Sequence, residues 1–118
     1  MQKKSKTMNF QAVNLNIAND KIVDIRLPSE WIETGVLPKS KLITYEMLGG
    51  KINPMFLTLI EQNFAKNDEI VLICQTGSRT KKAIQFLKNN GFTNVSDISG
   101  GVYNYKRLGA KFVPYQPS

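Results

Sequence analysis

The chain reads as an α/β domain: three layers, α/β/α, around a central, mainly parallel sheet of about five strands. Two observations lead there. Short apolar runs alternate with stretches of helical period, each helical stretch opened by a proline or small polar residue or closed by a glycine. One run, "EIVLIC" at 69–74, is apolar at every position after its first, as in a parallel strand covered on both faces.

The first eight residues read as a loose tail, and residues 9–118 as one domain. Val13, Leu15 and Ile17 alternate with polar residues, which predicts a half-buried strand over Val13–Ile17. "KIVDIR" follows as a short buried strand ending near Asp24–Arg26. In "LPSEWIETG", Pro28 and Ser29 start a two-turn helix and Gly35 stops it. "KLIT" at 41–44 is a further candidate strand. "NPMFLTLIEQNFAKND" is a clear helix, with Asn53 as cap, Pro54 at the first helical position, and Phe56, Leu59, Ile60 and Phe64 on one face. After "EIVLIC", "TKKAIQFLKNNG" is a helix with Ala83, Ile84 and Leu87 inward and Gly91 as its stop. "NVSDI" is a last short strand, and "GGVYNYKRLG" a glycine-bounded helical turn.

Composition narrows the chemistry. The 118 residues include no histidine and one cysteine, so imidazole bases and Cys-His dyads are absent from this chain. The usual structural zinc sites are excluded by the same counts, and neither a metal nor a cofactor is expected. A lone cysteine forms no internal disulfide, which fits a reducing compartment. No apolar run approaches a membrane span, and "MQKKSKTMNF" lacks the apolar stretch of a secretory signal, so the expected location is the cytoplasm, with no membrane partner. Sixteen Lys and Arg against nine Asp and Glu give a net charge of +7, which favours anionic partners. The basic residues are dispersed and no aromatic platform interleaves them, which argues against a nucleic-acid partner.

Cys74 opens "CQTGSRT", between the buried strand and the next helix. Ligands of open α/β sheets bind at the carboxyl ends of strands. A helix N-terminus there presents unpaired N–H groups and the positive end of its dipole. Gly77 lets the loop curl so that successive N–H groups converge as an anion-binding nest. Thr76, Ser78 and Thr80 are small and can add hydroxyl donors. A thiol in this cradle, near Arg79, Lys81 and Lys82, is expected to ionise readily and to act as a nucleophile without any histidine. The competing reading is an inert core cysteine at a strand end.

Four stretches together resemble a single-domain rhodanese, a sulfurtransferase family: "VDIRLPSEW", "CQTGSRT", "AIQFLKNNGFTNVSDISGG" and "GGVYNYKRLGAKFV". They span roughly residues 20–113 in the family's order. The chain departs from the family at "GVLPKS", where Gly-His-Ile-Pro-Gly-Ala is frequent, and at Tyr103 or Tyr105, where tryptophan is common. The resemblance implies that Cys74 takes a sulfane sulfur from a small anionic donor such as thiosulfate and passes it to an external thiol, cyanide or protein acceptor. It also implies that the loop Cys74, Gln75, Thr76, Gly77, Ser78 and Arg79 surrounds the outer sulfur, with Thr80 and Lys81 assisting. A six-residue loop is the sulfurtransferase size; phosphatase relatives carry seven, with five residues between Cys and Arg rather than the four here. Asp24 and Arg26 are expected to organise the fold near the site, with Arg26 and Glu30 paired across the turn. The alternative is a rhodanese-fold binding or sulfur-carrier module that acts within a complex.

Overall fold

The structure is a computed structural model and describes residues 15–117. One sheet of four parallel strands runs in the order β2–β1–β3–β4. Its strands are β1 (Ile22–Asp24), β2 (Lys41–Leu42), β3 (Ile70–Ile73) and β4 (Val95–Asp97). Val23 lies opposite both Lys41 and Leu72, and Ile70 opposite Val95. The helices are α1 (Pro28–Thr34), α2 (Phe56–Asn63), α3 (Ser78–Asn89) and α4 (Gly101–Arg107).

Every residue of β1 and β3 is buried, because alternate side chains enter different layers. Val23, Ile25, Ile70, Leu72 and Cys74 pack with Phe56 and Ile60 of α2 and Ala83 and Leu87 of α3. Ile22, Val71 and Ile73 pack on the other face with Leu37, Ile98, and Val102 and Tyr105 of α4. Two cores on one continuous apolar sheet make the three-layer α/β/α arrangement.

The sheet has four strands rather than about five. Val13 lies outside the described residues, and Leu15–Ile17 form turns and a bend, with Leu15 45% exposed. Of the three alternating apolar residues, the described two, Leu15 and Ile17, belong to no strand of the sheet. The helix expected from Asn53 begins at Phe56, because the Asn53 carboxamide accepts the Met55 N–H and closes a turn ahead of it. Conversely, α3 starts at Ser78, two residues early, directly after the left-handed Gly77.

Three loops gather at the carboxyl edge of the sheet, following β1, β3 and β4. They are laced together as the ladder runs on: Ile25 N–H donates to the Ile73 carbonyl and Ile98 N–H to that of Leu72, each at 3.0 Å. No helix among the described residues is long and apolar enough to cross a membrane.

Candidate active site

Cys74 follows β3 and is fully buried at the base of its loop. The Gly77 N–H points at its sulfur, with N···Sγ at 3.2 Å. Gly77 achieves this at φ +101°, and a Cβ there would sit 3.4 Å from the Gly100 nitrogen. Glycine therefore meets both a left-handed backbone and a close neighbour.

The first two carbonyls of the loop are held by α4. Those of Cys74 and Gln75 accept the N–H groups of Val102 and Tyr103 at 2.8 and 3.2 Å, so the start of α4 holds them. Gly101 makes the approach possible, since a Cβ there would lie 2.6 Å from the Gln75 carbonyl carbon and oxygen. The sequence marked Gly100 and Gly101 only as a helix boundary; their reason is this contact with the loop.

Arg26 lies beneath the loop, fully buried. Its Nε and Nη2 meet the two Asp24 oxygens at 2.9 and 2.8 Å, a bidentate pair with both partners out of solvent. Nη2 also donates to the Gly35 carbonyl at 2.8 Å, and Nη1 to Thr34 Oγ1 at 2.6 Å and Gln75 Oε1 at 3.0 Å. One guanidinium thus ties the end of β1, the end of α1 and the side chain after the cysteine. A charge so deeply buried persists only with its donors matched in this way.

Glu30 does not pair with Arg26, which reaches only the Glu30 carbonyl at 3.4 Å. Its carboxylate takes Arg79 instead, through two contacts of 2.8 Å, and also accepts the Leu27 N–H at 3.0 Å. Burial pushes the Glu30 carboxyl up, but the Arg79 hydrogen bonds, the Leu27 N–H and the charges of Arg79 and Arg26 outweigh it, so it lies below its ordinary value. The same hydrogen bonds raise Arg79, against the opposing effect of burial. Arg79 thus bridges α3 to α1 through Nη1 and Nη2.

The remaining expected residues divide. Thr80 is buried, and its hydroxyl lies 2.5 Å from Asp97 Oδ2 and 3.0 Å from the Gly77 carbonyl. Its single proton serves one of them at a time. Lys81, 68% exposed, meets the same Asp97 oxygen at 3.0 Å. Thr80 and Lys81 therefore both meet the end of β4. Thr76 and Ser78 are exposed and make no side-chain hydrogen bond among the described residues. The structure brings Gly77 to the sulfur directly and places Gln75 in the Arg26 network. Asp97 escaped the sequence reading because its spacing of 16 residues from Lys81 has no local signature.

The rhodanese-like domain family model matches residues 10–108. Thiosulfate sulfurtransferase 16, chloroplastic, of Arabidopsis thaliana is 33% identical over 101 residues, which cover 83% of each protein. A senescence-associated protein of Raphanus sativus is 36% identical over 89 residues, 71% of this chain and 47% of that protein. The chain thus spans about half the length of some curated relatives. Among solved structures, a rhodanese-like domain protein from Staphylococcus aureus superposes with a TM-score of 0.63 at 22% identity, covering 94% of this chain and 93% of that one. An M. tuberculosis protein gives 0.63 at 16% identity, covering 97% and 92%. With a matching domain model over most of its length and a sulfurtransferase among its relatives, the chain belongs to the rhodanese-like domain family.

Proposed function

We propose that the chain is a sulfurtransferase that carries a sulfane sulfur as a persulfide on Cys74. The carrying observation is the 3.2 Å contact from the Gly77 N–H to Sγ, at a loop whose first two carbonyls accept N–H groups of α4. Such a loop stabilises an anion on sulfur through fixed N–H dipoles, with no covalent role for any other residue. The Arabidopsis relative's name supports thiosulfate as the donor to test first.

In the first half-reaction the Cys74 thiolate attacks the outer sulfur of thiosulfate. The S–S bond of the donor breaks, its electron pair leaves with sulfite, and Cys74–S–S⁻ remains. In the second, an external nucleophile such as cyanide takes the outer sulfur and the thiolate is restored. A second cysteine is absent, so the persulfide cannot resolve internally to a disulfide and the acceptor must come from outside. Cys74 is fully buried, and the exposed Thr76 and Ser78 mark the part of its loop that faces solvent, the side from which a donor would approach.

The pairing of Arg79 Nη1 and Nη2 with Glu30 further supports sulfur over phosphate chemistry, because phosphoryl oxygens would compete with that carboxylate for the same two nitrogens. A carrier module is the second reading. It is favoured by the alignment of this chain with segments of longer proteins, 47% of the Raphanus protein and 15% of a tRNA uridine(34) hydroxylase of Erwinia tasmaniensis.

Intact-mass measurement after thiosulfate treatment tests the step itself. One added sulfur atom is expected, removed by cyanide as thiocyanate and absent in Cys74→Ser. Sulfur loading without turnover to small acceptors would favour the carrier. A folded chain that gains no sulfur and resists iodoacetamide would make Cys74 a core residue and end the proposal.

A further inference from the structure

Asp97 ends β4 and is nearly enclosed, its side chain 11% exposed. The ladder fixes where it stands. Asp97 lies opposite Leu72, two positions before Cys74, and the Ile98 N–H that follows donates to the Leu72 carbonyl at 3.0 Å. A carboxylate taken that far out of water is costly unless its oxygens are matched. The sulfur-transfer steps above give this one no task.

Its Oδ2 meets two donors. Lys81 approaches from the solvent side at 3.0 Å, and so exposed a cation adds little to a pair. The fully buried Thr80 hydroxyl stands 2.5 Å away, at the short end of the range for a hydroxyl on a carboxylate. The same Oγ1 is 3.0 Å from the Gly77 carbonyl. The carboxylate is the stronger acceptor, so it sets where Oγ1 stands, and Oγ1 in turn bounds the swing of the Gly77 peptide. These contacts close a ring. It runs from Cys74 back along β3 to Leu72, across the ladder to Asp97, through Thr80 to Gly77, and from the Gly77 N–H to Sγ at 3.2 Å.

The first half of the loop is held separately, since α4 takes the Cys74 and Gln75 carbonyls. Gly77 needs its own support, because a glycine, here at φ +101°, has the widest choice of backbone conformation. We propose that Asp97 is a positioning residue for Cys74. Through the Thr80 hydroxyl it holds the Gly77 turn, so that the Gly77 N–H stays on the sulfur. In this role neither Asp97 nor Thr80 acts on the reacting sulfur itself. The effect on rate rests on the sulfurtransferase reading above; the positioning does not.

The test follows persulfide formation in a single turnover with thiosulfate, read by intact mass. Thr80→Val keeps the side chain's shape and loses the hydroxyl; Thr80→Ser does the reverse. The limiting rate at saturating thiosulfate should fall about ten-fold in Thr80→Val and in Asp97→Ala, and less in Asp97→Asn, as expected of a misplaced reacting group. Thr80→Ser should restore it, and the half-saturating thiosulfate concentration should stay constant, because no contact to the donor is lost. The double variant of Thr80→Val with Asp97→Ala should be no slower than either alone, since both remove one path. Val95→Ala, which loosens β4 at its other end, is the control for lost stability. Positioning is read separately as hydrogen exchange of the Gly77 amide relative to that of Leu72. That ratio should rise about ten-fold in Thr80→Val and Asp97→Ala and stay level in Thr80→Ser and Val95→Ala, as a local opening confined to the loop requires. Should Thr80→Val fail to fold, the two Asp97 variants carry the same readouts. A chain that shows this exchange pattern yet gains no sulfur keeps the positioning role and loses the sulfurtransferase reading. Thr80→Ser as slow as Thr80→Val, losses that multiply in the double variant, a raised half-saturation, or an unchanged exchange ratio would each overturn the proposal.

Discussion

Gly101 and Gly109 share a backbone signature and differ in surroundings. Both have positive φ, +66° and +108°. A Cβ on Gly101 would enter the Gln75 carbonyl at 2.6 Å, while one on Gly109 would meet nothing within 4 Å. Alanine at either position costs about 1–2 kcal/mol of left-handed strain. Only at Gly101 must the Cys74 loop also shift, and with it the carbonyls that α4 holds. Gly101→Ala should therefore lower both the denaturation midpoint and the rate of persulfide formation, whereas Gly109→Ala should lower the midpoint alone. Equal rates in the two variants would mean that α4 does not position the loop. At this scale the cysteine was legible, because an apolar run ending in a Gly-containing polar loop states its own location. The role of Gly101 was not, since it depends on a backbone 26 residues away touching the loop.

Between elements, the contacts near the site are ionic and distant in sequence. Glu30 and Arg79 lie 49 positions apart and join α1 to α3. The sequence offered Arg26 as the nearer partner for Glu30, and local reach alone made that choice reasonable. Burial decided otherwise: Arg26 is fully enclosed and needs the equally enclosed Asp24. The strand order follows similar logic. "EIVLIC" and "KIVDIR" were readable as strands because both of their faces are apolar, and they became the two central strands. Val13–Ile17 carried only a half-buried pattern, and its described part turned away. Glu30→Gln tests the α1–α3 link. The Glu30 carboxyl lies below its ordinary value in the folded chain, so its stabilisation is present above the unfolded value and is lost as pH falls through the folded one. Wild type should exceed Glu30→Gln by about 1 kcal/mol at neutral pH, since the pair is only partly buried. The gap should start to narrow as pH falls past the ordinary glutamate value of about 4.3 and vanish only below the lower folded value, where both forms are neutral at that site. Thermal melts across pH measure it; a gap independent of pH would assign the effect to packing.

Across the whole molecule the net charge of +7 acts at a range no single contact reaches. Pairing engages Nη1 and Nη2 of Arg79 on Glu30 and the Lys81 ammonium on Asp97. It does not remove their contribution to the field, which sums over all charges whatever their partners. Steering and contact are therefore separable by salt. The screening length falls from about 10 Å at 0.1 M to about 3 Å at 1 M, so steering fades while a hydrogen bond inside the site is screened much less. For steered encounter, the logarithm of kcat/KM should fall with salt in proportion to the charge of the donor. Thiosulfate carries two negative charges, so its kcat/KM should fall clearly between about 0.1 M and 1 M salt. The value of kcat at saturating donor should stay level, because encounter no longer limits it. Lys88→Gln should flatten the slope slightly, as any lost charge does, whereas Lys81→Gln should flatten it no more than that. A larger effect at Lys81 would mean that it holds the donor directly, and a kcat that falls together with kcat/KM would mean that salt acts on the loop rather than on the encounter.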